Sequence, residues 1–91
     1  MKIAVDNQIS KLNVKQLINR GLEIVYRADD QFDNIWFNEA LNFGAEIFVS
    51  PDFDIDQLCE KYKVLYIRLP QNISGLCLND FIEMEVKKLN E

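Results

Sequence analysis

No histidine occurs among the 91 residues of the chain. The commonest general base at neutral pH and a principal zinc ligand are therefore missing. A mixed Cys/His zinc site is excluded, and the two cysteines, Cys59 and Cys77, cannot form one alone. Neither cysteine has a basic neighbourhood in sequence, so nothing marks a reactive thiolate. Both fall in apolar patterns and read as buried, reduced thiols of a cytoplasmic protein. Glycine is scarce too: three are scattered along the chain, and no Gly-rich loop follows a strand to cradle phosphate. No run approaches the roughly 18 apolar residues of a membrane span. The apolar start is only a few residues and Asp6 interrupts it, so no signal peptide is expected. In a cytoplasmic chain the Asn72-Ile73-Ser74 sequon carries no meaning.

Positive charge is also in short supply. Ten basic residues face fifteen acidic ones, for a net charge of −5. A basic glove for nucleic acid is thereby disfavoured. Two routes to a charged partner remain: phosphate reached through metal ions, or a basic protein docked on the acidic surface.

What the chain does contain is a regular alternation of two periods. Ile3-Ala4-Val5, Leu22 to Tyr26, Ala45 to Val49 and Val64 to Leu69 are short apolar or β-rich runs. Between them lie stretches with helical spacing: Val14, Leu17 and Ile18 after an Asn13 cap; Trp36, Phe37, Ala40 and Leu41 after Asp33; Ile55, Leu58, Cys59 and Tyr62 from Asp54 or Asp56. Leu78, Ile82, Val86 and Leu89 follow Asn79 or Asp80. Gly21 and Gly44 stop the first two helices. The order βαβαβαβα predicts one domain over residues 1–91, a three-layer α/β/α sandwich around a four-stranded, mostly parallel sheet. Strand order 2-1-3-4 would put the first and third strands side by side at the topological switch point, the usual ligand crevice of such sheets.

That order would gather carboxylates. Asp6 closes the first strand, and Asp52 and Asp54 follow the third. Crowded carboxylates repel one another and favour a hard divalent cation between them. Each also has a plainer role: Asp6 as a turn residue, Asp54 as a helix cap, Asp33 as an N-cap. Glu39 lies on the second helix, where a solvated face competes with a place in the crevice. Asp29 and Asp30 fit a solvated loop. Lys11, Lys15, Arg27 and Arg68 are candidate phosphate contacts or ordinary surface charges. Phe53 reads as a core plug. An exposed Trp36, Phe32 or Phe53 would instead signal a protein partner.

The opening KIAVDNQIS resembles the "LLDENLS" start of small bacterial PIN-like proteins, a toxin-like group with a PIN-related core. GLEIVY is similar to their second strand, DNIW to the start of their second helix, GAEIFVSPDFD to their "GRVLVTRDKDF", and VLYIRL to their fourth strand. The likeness spans roughly residues 1 to 70 in the family's order. Asn7 stands where the family has an acid, Pro51 replaces a polar or basic residue, and the stretch from Tyr26 to Asp33 is shorter. The resemblance implies a Mg²⁺- or Mn²⁺-dependent ribonuclease of a toxin–antitoxin or phage-related system. Asp6, Asp33, Asp52 and Asp54 would be its acidic catalytic set, with Asp6, Asp52 and Asp54 holding metal. RNA would be the substrate, and a homodimer is a further expectation, since such proteins often pair. The alternative is a catalytically inactive PIN-like module that binds or inhibits a basic protein through its acidic surface.

Overall fold

The computed structural model describes residues 1–90. Its elements run β1 (Lys2–Val5), α1 (Lys11–Asn19), β2 (Glu23–Arg27), α2 (Asp33–Asn42), β3 (Ile47–Ser50), α3 (Phe53–Tyr62), β4 (Leu65–Arg68) and α4 (Gly75–Leu89). All strand pairs are parallel, in the order β2-β1-β3-β4. The chain is thus an α/β domain whose strand order, not strand direction, reverses between β1 and β3.

Period-two alternation sorts the strand side chains into two cores. Ile3, Val5, Ile47, Val49 and Ile67 point to one face, where Leu17 of α1 and Leu78, Ile82 and Val86 of α4 cover them. Ala4 and Phe48 point to the other, under Trp36, Phe37 and Ala40 of α2 and Ile55 and Cys59 of α3. Every residue of β3 is buried, as expected of a strand covered on both faces.

Helix ends differ from the sequence expectation in informative ways. Ser10, not Asn13, caps α1: its Oγ accepts the Asn13 N–H at 3.1 Å and donates to Asn13 Oδ1 at 2.6 Å. Asn13 is thereby free to reach α4, donating to Gly75 O at 3.0 Å and Asn79 Oδ1 at 2.9 Å. Helix α4 begins at Gly75, so Asn79 is no cap. It is fully buried and donates to Gln16 Oε1 at 2.7 Å. A polar ladder therefore joins α1 to α4 within an otherwise apolar layer, each buried amide paired. Gly21 and Gly44 do end their helices, at φ of +95° and +87°, where a side chain would be strained. Helix α3 has no glycine; Lys63 itself adopts the left-handed conformation there.

Several expected burials do not occur: Ile18, Tyr62 and Leu89, from the apolar stripes of α1, α3 and α4, are exposed. Phe53 is 58% exposed and Cys77 is exposed. Phe53 opens α3 on its outer side, and Cys77 lies on the solvent side of α4, one position before the inward-facing Leu78. No helix among the described residues is long and apolar enough to cross a membrane.

Candidate functional site

Each helix in a parallel βα unit starts where the preceding strand ends. The carboxyl ends of β1, β2 and β3 therefore lie at the same edge as the N-termini of α2 and α3. All four sequence-nominated aspartates belong to that edge: Asp6 after β1, Asp33 in the first turn of α2, Asp52 as the N-cap of α3, and Asp54 in its first turn. The positive ends of two helices face these charges and partly offset their repulsion.

Ser50 couples the two central strands. Register places Val5 opposite Val49, so Asp6 and Ser50 follow as neighbours. The Ser50 hydroxyl donates to Asp6 Oδ2 at 2.8 Å and accepts the Asp52 N–H at 3.0 Å. Asp6 Oδ1 accepts the Gln8 N–H at 3.1 Å. Asp6 is thus buried and oriented by two donors, combining the turn role with a fixed position at the switch point. Nothing in the sequence pattern marked Ser50; its only sign was a hydroxyl ending an apolar strand.

Asp52 makes no side-chain cap bond and is exposed. Its carboxyl is raised above the ordinary range, first by desolvation and then by the negative charges of Asp33, Asp6 and Asp54. Asp52 therefore lies within electrostatic reach of the other three acids. None of the four is in a salt bridge among the described residues; the ion pairs join Arg20, Arg68 and Lys88 to other acids. Asp33 Oδ1 accepts the Trp36 indole N–H at 3.4 Å.

The oxygen-only donor set suits Mg²⁺ or Mn²⁺. Its spacing is open: among the described residues no three acids or cysteines come together as a ready cage for one ion. Mg²⁺ is ordinarily held by one or two carboxylates, with waters and substrate phosphate completing its shell. The residues fit that open arrangement and not a preformed three-carboxylate one.

The other nominated groups fall elsewhere. The Arg27 guanidinium donates to Ile9 O at 2.8 Å and Asn7 O at 2.9 Å, clamping the β1–α1 turn. Glu39 accepts from Tyr26 and Gln31. The Tyr26 bond holds the Glu39 carboxyl below its usual range. Trp36 is buried, whereas Phe32 is 79% exposed. Burial pushes the Cys59 thiol up to about 12, so it is no nucleophile at neutral pH.

Arg68 is engaged by Asp56, a residue considered from sequence only as a helix start. Asp56 is buried on α3; Arg68 Nε donates to its Oδ2 and Nη2 ion-pairs with the same oxygen, while Oδ1 has no partner among the described residues. The guanidinium also lies 5.1 Å from the Phe53 ring centroid. The pair is asymmetric, with side chains 44% and 8% exposed. Arg68→Ala strands a buried charge and is expected to cost about 2–3 kcal/mol, below the full value for a wholly buried pair. Asp56→Leu removes that charge and should cost less. Urea unfolding of both variants checks the order; an equal or reversed cost would show that the pair does not anchor α3 to β4.

In comparisons with known proteins, no family model, no curated protein and no solved structure matches the chain.

Proposed function

We propose that the protein is a Mg²⁺- or Mn²⁺-dependent ribonuclease acting at the acidic sheet edge, with the PIN-like relationship that its sequence motifs suggest. The observation carrying this reading is the placement of Asp6, Asp33, Asp52 and Asp54 along one sheet edge, without an ion-paired base among the described residues and with Asp52 raised first by desolvation and then by the other three charges. Asp6 and Asp52, joined through Ser50, would hold the ion, with Asp33 and Asp54 on the same edge. Bound there, the metal would supply a water of lowered pKa and neutralise charge on the phosphate. The chain's own part is orientation. Ser50 and the Gln8 N–H fix the Asp6 carboxylate, and the α2 and α3 N-termini support negative charge beside it.

A second reading is favoured by one observation. Phe32 and Phe53, each adjacent to an edge aspartate in sequence, are 79% and 58% exposed. Aromatics with an acidic rim suit docking of a basic protein by a catalytically inactive module.

Thermal unfolding with added Mn²⁺ or Mg²⁺, paired with cleavage of single-stranded RNA, separates the two. At one hundred times Kd a bound ion adds about 2.7 kcal/mol, which in a domain of this size raises Tm by more than about 10 °C. A melting temperature unmoved by either ion, with intact RNA, would reject the nuclease and leave the binding module.

A further inference from the structure

A pocket of about 380 Å³ opens beside Asp52 on the α1/α4 side of the same edge. It is bounded by the β1–α1, β3–α3 and β4–α4 turns, and its size lies within the usual range for small-ligand sites, about 300–1,000 Å³. Three side-chain amides line it: Gln8, Gln71 and Asn72. Each offers both donors and an acceptor, and among the described residues none of the three bonds to another protein group; Gln8 engages Asp6 through its backbone N–H alone. Pro51, Pro70 and Ile73 supply apolar walls. The lining carries no lysine or arginine, and its single charge is that of Asp52. An anionic group would be repelled here, whereas a neutral ring with a hydrogen-bonding edge is matched on its faces and its rim.

We infer that this pocket seats one nucleobase of a single-stranded RNA, and that Gln8, Gln71 and Asn72 bond its edge. The inference rests on the ribonuclease reading for the strand that brings the base, because Asp52 borders both the pocket and the acidic edge. The base would belong to a nucleotide flanking the phosphate held at the carboxylates. Sequence-selective recognition of RNA commonly proceeds this way, through unpaired bases whose edges are free. Asn72, which lines the pocket, sits at φ of 64°, a conformation asparagine tolerates better than most residues.

The test needs no metal for its first arm. The ¹⁵N-labelled chain in EDTA is titrated with the four ribonucleoside 5′-monophosphates and with ribose 5-phosphate. Saturable shifts of the Gln8, Gln71 and Asn72 side-chain amides are expected with at least one nucleotide and not with ribose 5-phosphate. The Gln8→Ala/Gln71→Ala variant should weaken that binding about tenfold. Asn72→Gly, which keeps the backbone conformation available, should weaken it with no loss of folding. An equal response to ribose 5-phosphate, or shifts confined to other surfaces, overturns the inference. In the second arm, KM for single-stranded RNA should rise about tenfold in the double variant, more than any change in kcat. Cleavage with KM unmoved overturns the base pocket and leaves the nuclease standing. Base binding by a chain that never cleaves supports the pocket and overturns the nuclease.

Discussion

Asp52→Asn is expected to lower the rate of RNA cleavage by at least about 100-fold, equivalent to roughly 2.7 kcal/mol of transition-state stabilisation. It should also erase the stabilisation by Mn²⁺. Asp52 makes no side-chain cap bond and is exposed, so its oxygens are available to an ion. In EDTA the same substitution should act in the opposite direction. The Asp52 carboxyl is raised in the folded chain, so its ionised form is disfavoured there. Its contribution is favourable below the unfolded pKa and is lost as pH rises through the folded value. At neutral pH, Asn relieves this repulsion, and exposure limits the gain to a few tenths of a kcal/mol. Asparagine is also as good an N-cap as aspartate. Loss of activity together with a small gain in metal-free stability is the signature of a functional carboxylate. A loss of metal-free stability would instead mark Asp52 as a structural cap.

The layered fold was legible because two periodicities alternate and because the glycines at 21 and 44 fall at helix ends; the strand order was not, since the alternation leaves it open, and β2-β1-β3-β4 comes from the structure. The acidic edge was legible only conditionally: the residues after β1 and β3 share an edge once those strands are neighbours, and that adjacency is a fact of the structure. Less legible were contacts that depend on side chains meeting across sequence. Asn13 and Asn79 each look like helix caps locally, yet 66 positions apart they bond each other between α1 and α4. Asp56 looks like a first-turn acid and is paired with Arg68, so an apparent phosphate contact is committed to structure. Phe53 has the hydrophobicity of a core residue, but a helix that starts at Asp52 turns it outward. Helix phase decides such cases, and a shift of one or two residues at a cap reverses them.

Phe48→Ala is expected to cost about 3–5 kcal/mol, a large fraction of the stability of any domain of this size. Phe48 is fully buried and is the β3 side chain that fills the layer beneath α2 and α3. Its ring stacks on Phe37 at a centroid distance of 4.5 Å and tilts against Trp36 at 5.7 Å. Alanine removes the ring from between two helices that cannot both move inward, because the strand pairing on each side of β3 holds their separation. A cavity therefore remains, and Tm should fall by more than about 12 °C. Tyr62, 51% exposed and only tilted against Phe37 at 5.5 Å, is the matched control; its truncation should cost less than about 1 kcal/mol. The consequence for the site follows from the pleat. Ser50 lies two residues beyond Phe48 and so on the same face, as Asp6 does beyond Ala4. The aromatic layer thus supports the strand that carries the Ser50–Asp6 hydrogen bond. Phe48→Leu, which keeps most of the volume, should retain the Mn²⁺ response at a small cost in Tm, whereas Phe48→Ala should weaken both. Equal Mn²⁺ stabilisation in the two variants would show that the acidic edge is held by its own hydrogen bonds, independent of the core below it.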